Sequence, residues 1–296
     1  MTKATIKNSF VHSSEAEKPS KNILNYVWIN RKAFKSEKQN DYGVPKRYLE
    51  RVIENAQRYK GNQFFLWLDQ DESLLDAESL QDVKSFLAEF ENIEVKNLRD
   101  LDEYASYDFF EPGKRFKRWQ TPRQKAEKED AGTVDLIWAR VDLARIMVLK
   151  HCLKTLNADI AVYSDFDISD VFLKNKDLHE LLNQYGLACS SGEVFMMSSD
   201  FYGAPDPVAS CVENGYIAAT NTPQNISFLE NLIGATKEEI SQKESFQPTD
   251  NGYSLFREHI SKAAEERTGD RNETAFCFFK QPTSKFSDPR FLGFDY

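Results

Sequence analysis

Ile23-Leu24-Asn25-Tyr26-Val27-Trp28-Ile29 is a dense run of β-branched and aromatic residues. It reads as a buried strand. Residues 1–20 before it are polar and rich in Ser, Lys and Glu, the composition of a flexible N-terminal arm. After it, residues 46–60 place Tyr48, Leu49, Val52, Ile53 and Ala56 on one helical stripe. Gly61-Asn62 interrupts the chain, and Gln63-Phe64-Phe65-Leu66-Trp67-Leu68-Asp69 reads as a second buried strand. A helix over about 78–90 and a short strand at Ile93-Glu94-Val95 follow. Strand, helix, strand, helix, strand is the signature of an α/β layer with parallel strands.

Residues 107–131 break that rhythm. Lys114-Arg115-Phe116-Lys117-Arg118-Trp119, followed by Pro122 and Arg123, is basic and aromatic in an otherwise acidic chain. Two readings stand: a solvated surface loop, or an electropositive lid near a phosphorylated ligand or an acidic partner. From Val134 to Leu153 apolar residues recur at helical spacing, and Asp159-Ile160-Ala161-Val162-Tyr163-Ser164-Asp165-Phe166-Asp167 is a strand running into two carboxylates. Shorter apolar pieces stand at 187–199, 215–219 and 275–280, with helices near 226–234 and 252–265. Without repeats or a clear linker, 21–296 reads as a single domain with a basic insertion at about 107–131.

With 296 residues, 41% hydrophobic and 13% aromatic, the chain is large enough to bury a substantial core. A formal charge of −9 argues against a general nucleic-acid binder. No 18-residue apolar run suggests a membrane span, and the N-terminus lacks the apolar run of a secretory signal. The expectation is a cytoplasmic protein, or one exported into a host cell without a classical signal peptide. Cys152, Cys189, Cys211 and Cys277 form no C-x-x-C pair and read as reduced, buried side chains. His12, His151, His179 and His259 are scattered, which disfavours a His-based metal site or a Ser-His-Asp triad.

Alternate residues of a strand share a face, so Asp165 and Asp167 are expected to point the same way at the C-terminal end of their strand. Open α/β sheets bind ligands at that end. Two converging carboxylates repel unless a cation or a proton intervenes, and Mn²⁺ or Mg²⁺ bridging to a substrate phosphate is the natural solution. An EF-hand does not fit, because its obligatory Gly and closing Glu would fall on Asp170 and Lys176. A haloacid-dehalogenase-type phosphatase with Asp165 as nucleophile stays open, since Thr268-Gly269-Asp270 resembles its distal metal motif. Upstream, Asp142 and Arg145 stand three apart on an apolar helix, where they can pair and hold a sugar hydroxyl or phosphate.

Taken in order, Tyr26-Val27-Trp28-Ile29, Asp142-Leu143-Ala144-Arg145, Val162-Tyr163-Ser164-Asp165-Phe166-Asp167 and Glu213-Asn214-Gly215-Tyr216-Ile217-Ala218-Ala219-Thr220 with Phe228-Leu229 resemble the glycosyltransferases that carry the D-x-D sugar-binding region. That group includes the glucosylating domains of large clostridial toxins and the yeast outer-chain α-1,6-mannosyltransferases. The resemblance touches residues 25–260. It implies a GT-A-like fold, a Rossmann-like mixed sheet flanked by helices with helical insertions. It implies a retaining, metal-dependent enzyme that moves a sugar from a nucleotide-sugar to a protein or glycan acceptor. UDP-glucose or UDP-GlcNAc is the favoured donor, with GDP-mannose behind them, and a bacterial effector or toxin is one setting. By the same resemblance, Trp28 stacks on the nucleotide base, Asp142 and Arg145 hold the sugar, Tyr163 and Asp165 approach the ribose, and Asp167 ligates Mn²⁺ or Mg²⁺.

The usual Gly-Gly before the Tyr is replaced by Asn157-Ala158-Asp159-Ile160-Ala161. The family's C-terminal Trp is missing as well, since the tryptophans here are Trp28, Trp67, Trp119 and Trp138. Ser284, Ser287 and Asp288 are candidates for a third metal ligand, with Phe291 or Tyr296 in place of the indole. Asp250-Asn251-Gly252 stands where relatives have a Thr-Gly-Pro turn. An inactive nucleotide-sugar-fold binding module is the remaining alternative.

Overall fold

The computed structural model describes residues 21–30, 42–127, 130–168, 171, 173, 195–199, 212–247 and 276–280. The first half alternates as its sequence suggests: β1 (Asn22–Trp28), α1 (Lys46–Arg58), β2 (Gln63–Leu68), α2 (Ala77–Leu87) and β3 (Ile93–Asn97). Next come α3 (Asp102–Ala105), β4 (Phe116–Lys117), α4 (Pro122–Ala126), β5 (Thr133–Val134), α5 (Ile137–Lys154) and β6 (Ile160–Ser164). The described remainder holds β7 (Phe195–Ser199), β8 (Val212–Thr220), α6 (Pro223–Gln242) and β9 (Phe276–Lys280).

The main sheet runs β3-β2-β1-β6-β8-β7-β9. β1 pairs in parallel with both β2 and β6, and β2 with β3. β8 is antiparallel to both its neighbours, β6 and β7, and β7 pairs in parallel with β9. This is a mixed α/β architecture with a mostly parallel central sheet flanked by helices, as expected from the sequence. Parallel neighbours need crossover connections, and α1, α2 and α5 supply them. β1 lies inside the sheet, β2 and β3 add on one side of it, and β6 returns to the other. The C-terminal ends of β1 and β6 therefore flank the point where strand order reverses.

Strand alternation sorts the core into two layers. Ile23, Val27, Phe65, Trp67, Ala161, Tyr163, Ile217 and Ala219 pack with α5 and α6. Leu24, Tyr26, Phe64, Leu66, Val162, Tyr216 and Ala218 pack with α1 and α2. The buried amide of Asn25 is satisfied at both ends. Asn25 Nδ2 donates to the Val162 carbonyl at 3.0 Å, and its Oδ1 accepts from Trp67 Nε1 at 2.8 Å. Just past β2, the sealed carboxylate of Asp69 takes both arms of Arg99, at 2.8 and 2.9 Å, and the Tyr104 hydroxyl at 2.7 Å. That network ties α3 to the sheet.

The 107–131 segment has elements of its own. Phe109 and Phe110 are buried, β4 pairs antiparallel with β5, and Thr121 and Gln124 close a capping box at the start of α4. α5 begins at Ile137 rather than Val134, because Thr133–Val134 pairs with β4. α6 covers Pro223–Gln242, well beyond the expected 226–234. Its start is written in Thr222, whose hydroxyl accepts from Asn225 N, and in Pro223 at the first helical position. The stripe Leu229, Ile233, Thr236 and Ile240 carries it onward, each residue buried. No helix among the described residues is long and apolar enough to cross a membrane.

Candidate functional site

β6 ends at Ser164, one residue before the first carboxylate. Asp165, Phe166 and Asp167 lie in a turn, closed where Ile168 N donates to the Asp165 carbonyl at 3.3 Å. This corrects the expectation that strand alternation orients the two acids. Strand pairing stops when Asp165 N, at 2.6 Å, donates to the carbonyl of Gly215 on β8. Asp165 and Asp167 are both partly exposed, while Phe166 between them is buried. Its ring stacks on Tyr26 at 5.0 Å and Tyr48 at 4.8 Å, with Trp28 at 6.2 Å. Arg51 Nε donates to the Phe166 carbonyl at 3.2 Å. The turn is pinned by its middle residue.

α5 runs back toward the C-terminal edge of the sheet at its N-terminal end, so its early residues face this turn. Arg145 Nη1 stands 3.3 Å from Asp142 Oδ1, and Arg145 Nη2 is 2.8 Å from Asp165 Oδ1. The same Oδ1 accepts from the Tyr163 hydroxyl. The guanidinium lies 4.8 Å above the Tyr163 ring. Asp142 and Arg145 are both buried, and the Asp165 side chain keeps 27% of its surface. Burial pushes the Asp165 carboxyl up to about 6, with Arg145 pulling it down and Asp167 pushing it up. Burial also raises the Tyr163 phenol, which stays a neutral donor.

A cleft of about 660 Å³, part of it open to solvent, sits above this cluster. Val27, Trp28 and Ile29 wall it from β1, Ile137, Trp138, Val141 and Arg145 from α5, and Tyr163, Asp165 and Phe166 from β6 and its turn. It lies at the reversal of strand order, where open α/β sheets take ligands. Trp28 is fixed by its Nε1, which donates to the Gly43 carbonyl and to Asn30 Oδ1, each at 3.0 Å. Trp28, Arg145, Tyr163 and Asp165 therefore share one cleft, and Asp142 joins them through Arg145. Asp167 follows two residues on, off the cleft lining.

Trp138 is the residue the sequence reading left out. It is 42% exposed, lines the cleft, and stands four residues before Asp142 and seven before Arg145. That spacing keeps all three on one helical face. A large aromatic on the polar stripe of a helix was the available signal. Gly215 stands in the 213–220 stretch quoted for the resemblance, but spacing gave it no role of its own. A Cβ there would fall 2.9 Å from Asp165 Oδ2, so β8 must carry glycine for the carboxylate to lie where it does.

Among the described residues no group of three or more His, Cys, Asp or Glu side chains gathers as a metal cage. The acids present suit a hard dication that takes one or two carboxylates and fills its shell with phosphate oxygens and water. Three carboxylates stand here against one guanidinium, an excess of negative charge that favours a cation. Ser284, Ser287, Asp288, Phe291, Tyr296, Asp250-Asn251-Gly252 and Thr268-Gly269-Asp270 lie outside the described residues.

No family model matches the chain, and no curated protein sequence does. Among solved structures, the chain is similar to PaToxG glycosyltransferase at 11% identity and a TM-score of 0.47, over 85% of this chain and 71% of that one. It is similar to the bacterial N-acetylglucosamine transferase NleB at 12% identity and a TM-score of 0.41, over 81% of this chain and 86% of that one. A 4-diphosphocytidyl-2C-methyl-D-erythritol synthase from Anaerococcus prevotii DSM 20548 gives 12% identity and a TM-score of 0.37, over 90% of each chain. At these values the likeness is in general α/β arrangement and carries no chemistry.

Proposed function

We propose that this chain is a metal-dependent glycosyltransferase that uses a nucleotide-sugar donor. The observation that carries the reading is the joining of Trp28, Arg145, Tyr163 and Asp165 around one cleft at the reversal of strand order, with Asp142 behind Arg145. Those residues were singled out by their resemblance to D-x-D glycosyltransferases, and they converge although up to 137 positions separate them. UDP-glucose or UDP-GlcNAc is the favoured donor, then GDP-mannose, and the acceptor is a protein or glycan.

In this reading Trp28 offers a fixed aromatic face to the base, and Trp138 a second, more exposed one. Arg145 is held in place by Asp142 and Asp165, so it meets a sugar hydroxyl or phosphate without reordering. Asp167, with Asp165 beside it, would hold Mn²⁺ or Mg²⁺. The bound ion would neutralise charge on the departing diphosphate as a Lewis acid. Tyr163 keeps its proton and fixes the Asp165 carboxylate. In the phosphatase alternative Asp165 would have to attack through Oδ2, since Oδ1 already accepts from Arg145 and Tyr163.

Calorimetric titration with each of the three nucleotide-sugars, with and without Mn²⁺, tests the reading, alongside release of nucleoside diphosphate. Binding to at least one donor should require the metal. Asp167→Asn should abolish metal-dependent turnover with little change in melting temperature, and Trp138→Ala should weaken donor binding by about tenfold, near 1.4 kcal/mol. Absence of metal-dependent binding to all three donors would overturn the proposal.

A further inference from the structure

The stretch Lys114–Ala126 holds six Lys or Arg and no acid, inside a chain of net charge −9. Some of that charge is internally used. Lys114 pairs with Asp108 at 3.0 Å, Arg115 with Asp135 at 3.6 Å, and Arg123 with Glu127 at 2.8 Å. Lys117, Arg118 and Lys125 form no ion pair among the described residues. Lys117, Arg118 and Trp119 are consecutive and all exposed, Trp119 by 43%.

The backbone that presents them is fixed on both sides. Arg118 N donates to the Gly132 carbonyl at 3.2 Å, Phe246 N to the Lys117 carbonyl at 2.9 Å, and Trp119 N to the Phe246 carbonyl at 2.7 Å. Phe116 turns the other way, 5.5 Å from Phe109 and 5.1 Å from Phe246. An indole held outward on an anchored backbone, between basic side chains, has the composition of a protein-interface hot spot. The site is also tied to the cleft. Arg140 Nη2 donates to the Lys114 carbonyl at 2.9 Å, and Arg115 reaches Asp135. Asp135 and Arg140 bracket Ile137 and Trp138, which line the cleft.

We propose that Lys117, Arg118, Trp119 and Lys125 form a docking surface for an acidic segment of a protein acceptor, on a segment joined to the cleft wall through Lys114–Arg140 and Arg115–Asp135. That the partner is an acceptor rests on the glycosyltransferase reading, and its acidic character on charge complementarity. Both edges of β4 are already hydrogen-bonded, so the segment is held by side chains rather than by strand addition. A membrane surface fits less well, because one exposed indole offers little area for insertion while Phe116 faces inward.

The test uses the full chain and a fluorescent acidic peptide of Glu, Asp, Gly and Leu. Its Lys-for-acid counterpart, vesicles of phosphatidylserine in phosphatidylcholine, and an oligothymidylate of matching charge are compared with it at physiological salt. The acidic peptide should bind tightest. Lys117→Glu with Arg118→Glu should weaken it at least tenfold, and Trp119→Ala about threefold or more. Acceptor-independent hydrolysis of the nucleotide-sugar should be the same in these variants, so loss of docking is separable from failure of the glycosyltransferase reading. Equal binding of acidic and basic peptides, tighter binding of vesicles or oligonucleotide, or indifference to the charge reversal would each overturn the proposal.

Discussion

Arg145 joins Asp142, Asp165 and the Tyr163 ring, which makes it a poor residue with which to test the site by deletion. Removing it leaves two largely desolvated carboxylates uncompensated, a loss of about 3–5 kcal/mol that would blur function with folding. Gly215 gives a cleaner test. Its backbone carbonyl receives Asp165 N at 2.6 Å, and a methyl group there would stand 2.9 Å from Asp165 Oδ2. The Asp165 side chain is short and held by Arg145 and Tyr163, so the carboxylate itself must move. Gly215→Ala should therefore reduce metal-dependent turnover by tenfold or more, with the melting temperature lowered by only a few degrees. A variant with unchanged turnover would show that the position of the Asp165 carboxylate does not matter to the reaction.

The turn after β6 shows how far element-level reading carries. Periodicity sufficed to find β1, α1, β2, α2 and β3, because each carries an apolar stripe or run, although β3 itself is only partly buried. It also placed α5 and the end of β6 to within a few residues. What it could not show was that the acids leave the strand. That outcome depends on β8, which arrives some 50 residues later in sequence and ends the ladder at Gly215. Nor did local spacing show that Phe166 is an anchor, since its partners Tyr26 and Tyr48 come from β1 and α1. Asp142 and Arg145 were legible because three-residue spacing is local; Trp138 was passed over because its exposure is a property of the folded helix. Phe166→Ala should cost about 3–5 kcal/mol in urea denaturation. It should also weaken metal-dependent donor binding, because the turn carrying Asp165 and Asp167 loses its fixed centre. Phe166→Leu should recover most of the stability. If Phe166→Ala unfolds at the same urea concentration as the parent, the aromatic cluster is not what holds the turn.

Across the whole molecule, two apolar layers meet at the sheet, and the ionisable groups between them set the response to pH. His151 lies on α5 with its ring edge-on to Trp67, centroids 5.7 Å apart. Desolvation lowers its pKa below the ordinary 6.5, and the positive charges of Lys96 on β3 and Lys150 on α5 lower it further. Lys150 is itself engaged by Glu103 at 2.6 Å, which softens its share. The helix C-terminus nearby acts the other way, favouring a cation, and is outweighed. A depressed pKa means that the unfolded chain binds the proton more readily than the folded one. The folded state is thus favoured fully above pH 6.5 and loses that advantage as pH falls through the folded-state pKa. Urea unfolding between pH 8 and pH 5 should show a plateau near neutrality and a decline on the acid side. His151→Gln keeps a polar group of similar size against Trp67 without a titrating nitrogen, and should flatten the first part of that decline. Asp165, whose carboxyl is pushed up to about 6, titrates in the same range with the opposite sign, because its folded state holds the proton more readily, so the difference between variant and parent is the readout of His151. An acid limb identical in the variant and the parent would exclude His151 as its source.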